Sequence, residues 1–254
     1  MVLIRHSLMI VTLLMVALAA PAHAETARIA VAANFTEAAK EIAKRFERTT
    51  GHDAILSFGS TGQLYTQITQ AAPFDVFLAA DHKRPQMALD AGLAVPGTLI
   101  TYATGKIVLF SKDRDLVTGA ETLKLDTFTK IAIANPDTAP YGAAAVEAMK
   151  ALDVYDALSP KIVQGNNIAQ VYQFIETGNA EIGFVALSQI ARPKTGSRWI
   201  VPIDLYAPIA QDAVLLKRGS DNASARAFLA FLNGADANAV KKEFGYGTAD
   251  EQGH

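Results

Sequence analysis

The sequence predicts an α/β protein of two lobes, with mainly parallel sheets flanked by helices and two crossover segments joining the lobes. Three observations predict this. Short apolar runs alternate with segments whose apolar residues recur at spacings of three and four, the pattern of strand followed by helix. The alternation breaks near Tyr102, where a strand is entered with no helix before it, and then resumes as a second block. The chain has 254 residues, enough for two lobes of ordinary size.

The first residues stand apart from that pattern. Arg5 precedes an apolar run from Leu8 to Ala20, and Pro21-Ala22-His23-Ala24 supplies small residues at a cleavage site. This is the arrangement of a secretory signal peptide cut after Ala24. The run is shorter than the ~20 residues that span a bilayer, so a membrane anchor is not expected. No cysteine occurs, which excludes disulfides and a lipidated cysteine. The mature chain is therefore expected to be soluble in a bacterial periplasm. The formal net charge is -2, and loss of Arg5 with the leader lowers it by one, to -3. No basic block stands out, so nucleic acid is not an expected partner.

Each element follows from local pattern. Arg28–Ala33 reads as a buried strand. After Asn34 a helix runs to about Thr50, with Phe35, Ala38, Ala39, Ile42 and Phe46 on one face and Gly51 as its stop. Ala54–Phe58 is a strand, Gly59–Gly62 a turn and Gln63–Gln70 a helix. Asp75–Ala80 is a strand, with a helix around Pro85–Ala91. In the second block, strands are expected at Lys106–Phe110, Lys130–Ala134, Lys161–Gln164 and Glu181–Ala186, and helices at Ala143–Leu152 and Ile168–Thr177. Asp212–Lys217 is the last strand, and helices around Ala223–Leu232 and Ala237–Phe244 close the chain. The expected division is residues 1–24 as leader, 25–103 with 208–254 as lobe I, and 104–207 as lobe II. No internal repeat is visible in the sequence.

Four strand-to-helix turns share one kind of content: Ala32-Ala33-Asn34, Ser60-Thr61-Gly62, Ala139-Pro140-Tyr141-Gly142 and Gly165-Asn166-Asn167-Ile168. Helix starts expose N–H groups without intrahelical partners, at the positive end of the helix dipole. Taken singly, each turn reads as ordinary capping and turn punctuation. Together they lack Lys and Arg, and two fall in each expected lobe. Facing one cleft beyond the carboxyl ends of the strands, they would hold an anion with neutral donors alone.

At these residues the sequence resembles the periplasmic molybdate-binding proteins of ATP-driven importers. The likeness runs through Val31–Thr36, Phe58–Gly62, Pro73–Asp81, Asn135–Gly142 and Glu181–Leu187, and covers essentially the whole mature chain. It implies a type II periplasmic-binding-protein fold that closes about a hinge. It also implies a tetrahedral oxyanion, molybdate or tungstate, held between the lobes and delivered to an ABC importer permease. The implied ligand residues are Asn34 with Ala33 at the first turn and Thr61 with Ser60 at the second. Tyr141 and Ile168 follow at the third and fourth. Molybdenum would be bound only as its oxyanion, with no direct metal ligand and no cofactor, by a monomer. In much of the family a ligand-binding tyrosine ends the Gly-Phe-Val-x strand. Here that position is Ala186, and the Tyr141 hydroxyl is expected to take its place.

A fully deprotonated dianion offers only acceptors, so a donor-only site suits molybdate and disfavours hydrogen phosphate, whose O–H would find no acceptor. Sulfate passes the same test and is the alternative ligand, since cavity size is not legible in sequence. Asp137 is the nearest carboxylate in these turns and reads as part of an Asx-type turn. Enzymatic chemistry is not expected. No Gly-x-Ser-x-Gly, His-Glu-x-x-His or P-loop pattern occurs, and His82 beside Asp81 reads as a solvated pair. The seven tyrosines are spread out, which argues against a ferric-iron site, and Trp199 is expected in a loop covering a core edge.

Overall fold

A computed structural model describes residues 25–192 and 195–247. The expected signal peptide and its cleavage site lie outside the described residues. The chain folds into two five-stranded sheets, each carrying helices. The first contains β1 (Thr26–Ala32), β2 (Asp53–Gly59), β3 (Val76–Leu78), β4 (Ile100–Gly105) and β10 (Ile209–Leu215), in the order β2-β1-β3-β10-β4. The second contains β5 (Ile107–Ser111), β6 (Ile131–Ala134), β7 (Ile162–Gly165), β8 (Ile182–Ala186) and β9 (Ser197–Ile200), in the order β7-β6-β8-β5-β9. The two orders match strand for strand. A common topology thus underlies two blocks whose sequences show no repeat.

In each sheet four strands run one way and one runs against them, so the sheets are mixed with one reversed strand each. β1 pairs in parallel with β2 and β3, and β6 with β7 and β8. β10 runs antiparallel to β3 and β4, and β5 antiparallel to β8 and β9. The reason lies in the crossovers. β5 and β10 each enter directly from the other sheet, with no helix to return them in the parallel sense. The segment leading into β5, to which the sequence assigns no element, is itself the strand β4 and runs to Gly105. Only Lys106 separates it from β5. Trp199, expected in a loop, lies in β9 and packs on the second lobe's core.

Helices α1 (Thr36–Thr50), α2 (Thr61–Thr69), α3 (Lys83–Asp90), α4 (Pro140–Ala151), α5 (Tyr155–Leu158), α6 (Ile168–Glu176), α7 (Ala223–Phe231) and α8 (Ala235–Glu243) cover the sheets. α1 buries Ala38, Ala39, Ile42 and Phe46 and ends at Gly51, whose φ of 72° closes the last turn. Phe46 meets Phe228 of α7 edge to face at 5.2 Å. Apolar layers cover both faces of the first sheet. The core of the second lobe reaches across to Ala32, Ala33 and Ala80 of the first, so the lobes touch through apolar contact as well as hydrogen bonds.

Candidate anion-binding cleft

Four helices begin where parallel strands end. A 3-10 turn at Ala33–Phe35 leads from β1 into α1, Ser60 leads from β2 into α2, Ala139 precedes α4 after β6, and Asn167 leads from β7 into α6. α4 begins three residues earlier than expected, at Pro140. A proline at the first helical position has its φ already set and no N–H to leave unpaired. Tyr141 is therefore in the first turn of the helix rather than in a loop. Thr61 likewise opens α2.

These four starts converge on one cleft between the lobes. It is lined by Ala32, Ala33, Asn34, Gly59, Ser60, Thr61, Ala80, Ala139, Pro140, Tyr141, Asn167 and Ile168. All six residues expected at the site are brought together there. No Lys, Arg, Asp or Glu lines the cleft. It holds about 200 Å³ of space, its mouth included.

The polarity of the lining is fixed by its hydrogen bonds. Thr61 Oγ1 accepts the N–H of Ala80 at 3.0 Å, and Ser60 Oγ accepts the N–H of Gln63 at 3.4 Å. Each oxygen thus accepts one backbone N–H, and each hydroxyl still has its hydrogen to offer. Asn167 Oδ1 accepts from Ala169 and Gln170 at 3.0 and 3.1 Å, so this acceptor is also occupied. The N–H groups of Thr61, Tyr141 and Ile168 fall in first helical turns and bond no other element among the described residues. The cleft thus presents hydrogen, and four positive helix ends supply the field.

Behind the first turn lies a buried polar cluster that sequence reasoning missed. Asn34 Nδ2 donates to Gln211 Oε1 at 2.8 Å and to the Tyr246 hydroxyl at 3.1 Å. Both amide hydrogens are then used, and the donor left to Asn34 for the cleft is its backbone N–H. Gln211 Nε2 donates to the Tyr141 hydroxyl at 3.1 Å. Ser188 Oγ and the Tyr246 hydroxyl both donate to the Asn34 carbonyl, at 2.8 and 2.7 Å. Tyr102 donates to the Ala79 carbonyl at 3.0 Å and lies 3.1 Å from Gln211 Oε1. Burial, followed by the neighbouring tyrosines, pushes the Tyr141 and Tyr102 hydroxyls well above their ordinary range. Burial raises Tyr246 as well, against its hydrogen bonds to Ser188 and from Asn34, which lower it. All three are neutral at physiological pH. The available signal was Gln211-Asp212, two polar residues inside the otherwise apolar strand Ile209–Leu215.

Two further contacts cross the cleft at its rim. The Gly62 N–H donates to the Thr138 carbonyl at 2.8 Å, and Arg84 Nη2 donates to the Asp137 carbonyl at 2.7 Å. Asp137 does not line the cleft. The Asx turn here is closed by Asn135, whose Oδ1 accepts the Asp137 N–H at 2.9 Å. His82 does not pair with Asp81. It meets the buried Asp212 at 2.5 Å, while Asp81 pairs with Arg84. Among the described residues no cluster of His, Cys, Asp and Glu could hold a metal ion.

Two matched lobes, two crossovers and a small neutral cleft between helix starts define a binding protein for a small anion rather than a catalytic centre. The sequence matches the family of bacterial extracellular solute-binding proteins over residues 27–247, and the chain belongs to that family. It is 52% identical over 235 residues to the molybdate-binding protein ModA of Rhodobacter capsulatus, covering 92% of this chain and 93% of that one. It is 50% identical to the ModA of Azotobacter vinelandii, over 91% and 93% of the two chains. A solved periplasmic molybdate-binding protein of Azotobacter vinelandii superposes with a TM-score of 0.85 at 37% identity, covering 87% of this chain and 98% of that one. The chain is a solute-binding protein and not an enzyme. No helix among the described residues is long and apolar enough to cross a membrane.

Proposed function

We propose that this protein captures molybdate, and tungstate with it, in the periplasm and delivers it to the permease of an ABC importer. The observation that carries the reading is the cleft of neutral donors, whose Thr61, Ser60 and Asn167 side-chain oxygens already accept from backbone N–H groups. A dianion there meets only N–H and O–H groups and the positive ends of helices. Thr61 and Ser60 would offer hydroxyls. Asn34, with Ala33 beside it, Tyr141 and Ile168 would offer backbone N–H groups. A hydrogen phosphate would bring a proton with no acceptor to receive it, at a cost of roughly 1–3 kcal/mol. The names and titles of the close relatives support molybdate over sulfate as the ion.

Each lobe supplies two turns, so an open form would offer about half the donors of the closed one. Closure is then driven by that difference in contact, and the closed surface is what a permease would recognise. The test is calorimetric titration of the mature protein with molybdate, tungstate, sulfate and phosphate, alongside thermal unfolding. At a free concentration a hundredfold above Kd, a ligand stabilises the folded state by about 2.7 kcal/mol. Molybdate and tungstate should do so comparably. Stabilisation by sulfate without stabilisation by molybdate would reject the assignment.

A further inference from the structure

We propose that the Tyr141 hydroxyl is a latch that locks the two lobes together, seated in a socket of the first lobe whose positioning residue is Gln211. The inference rests on the reading of the cleft as a closing anion site. Tyr141 comes from α4 of the second lobe, and its hydroxyl ends between β4 and β10 of the first. The socket is made by an absence. A Cβ on Gly105 would lie 2.0 Å from the Tyr141 hydroxyl and 2.7 Å from Gln211 Nε2. The hydroxyl fills the space that a side chain at 105 would take. Gln211 is fully buried and stands where the register between β10 and β4 shifts. A bulge of this kind re-aims a side chain. Here it aims one amide at both lobes: Oε1 receives the Asn34 amide at 2.8 Å, and Nε2 donates to Tyr141 at 3.1 Å.

A second contact reinforces the first. Ser188, just past the carboxyl end of β8, the parallel neighbour of β6, donates to the Asn34 carbonyl at 2.8 Å, and Tyr246 bonds that same Ser188 oxygen at 2.9 Å. Two hydroxyls of the second lobe thus plug into one cluster around Asn34. The Tyr141 hydroxyl is engaged with Gln211 and Asn34. Its partners are all in the first lobe, and none depends on the anion. A latch of this kind favours closure by the same factor for every ligand that fits.

The test uses Gln211→Leu, Tyr141→Phe and the double variant, titrated with molybdate and tungstate. Tyr141→Phe should weaken binding roughly tenfold, the worth of one buried hydrogen bond, through faster dissociation, and Gln211→Leu at least as much, since it also removes the acceptor of the Asn34 amide. The double variant should be no weaker than Gln211→Leu alone, because that change already removes the bond between Gln211 and Tyr141. The factor should be the same for both anions. Losses that multiply, or a changed preference between anions in Tyr141→Phe, would make the hydroxyl a direct ligand contact and overturn the latch. A second measurement needs no ligand and no Gln211 variant. The chain lacks cysteine, so Arg48→Cys and Lys150→Cys accept a fluorophore pair across the lobes. Tyr141→Phe should shift the ligand-free distance distribution toward longer values, and an unchanged distribution would refute the latch. If the unaltered protein binds neither anion, the reading of the cleft fails, while the distance measurement still decides on the latch.

Discussion

Replacing Thr61 by alanine separates binding from folding, because its hydroxyl faces two ways. Thr61 is 1% exposed, and its Oγ1 accepts the Ala80 N–H at 3.0 Å. Removing the oxygen leaves that buried N–H without its acceptor, which should cost roughly 1–3 kcal/mol of stability. The same change removes one donor from the bound dianion. A hydrogen bond to a charged group contributes about 1.5–3 kcal/mol, so molybdate affinity should fall by roughly ten- to a hundredfold. Denaturant unfolding of the ligand-free protein measures the first loss, and calorimetric titration the second. Thr61→Ser keeps the oxygen and should stay within about threefold of the original affinity, since only a buried methyl group is lost. If Thr61→Ala loses stability but binds molybdate unchanged, the hydroxyl only braces Ala80. The cleft would then hold its anion by backbone groups alone.

Three other outcomes follow from the same geometry. Gly105→Ala should hold the cleft open, since its Cβ would fall 2.0 Å from the Tyr141 hydroxyl; titration should show weakened binding, and small-angle scattering a more extended closed form. Lys241→Met should destabilise the fold by roughly 1–3 kcal/mol or more in denaturant unfolding, because the buried ammonium donates to the Tyr102 and Leu232 carbonyls at 2.6 and 2.9 Å. The buried Tyr102, Tyr141 and Tyr246 hydroxyls all titrate above their ordinary value of 10.0. Their neutral form is favoured by folding, so this stability is whole below pH 10 and is lost as pH rises toward the folded values. Thermal unfolding followed from neutral to alkaline pH should show a decline beginning near pH 10, smaller in Tyr141→Phe than in the unaltered chain.

The sequence by itself determined the alternation of strands and helices and the four helix starts. These are local matters. Apolar period selects strand or helix, and Gly51, Pro140 and Asn167 act through their own backbone geometry and caps. The uncharged content of the four turns was also legible, because absent Lys and Arg can be read without coordinates. Only the tertiary structure decided what those turns face and which way their hydrogen bonds run. That Thr61 offers hydrogen follows from Ala80 occupying its oxygen, and that Asn34 turns its amide inward follows from Gln211, which lies 177 positions away. The sense of β5 and β10 was likewise hidden, since direction in a sheet depends on where the chain enters from. Hydrogen-bond polarity and strand direction are relations between distant residues. A pattern with a period of two or four residues carries no record of them.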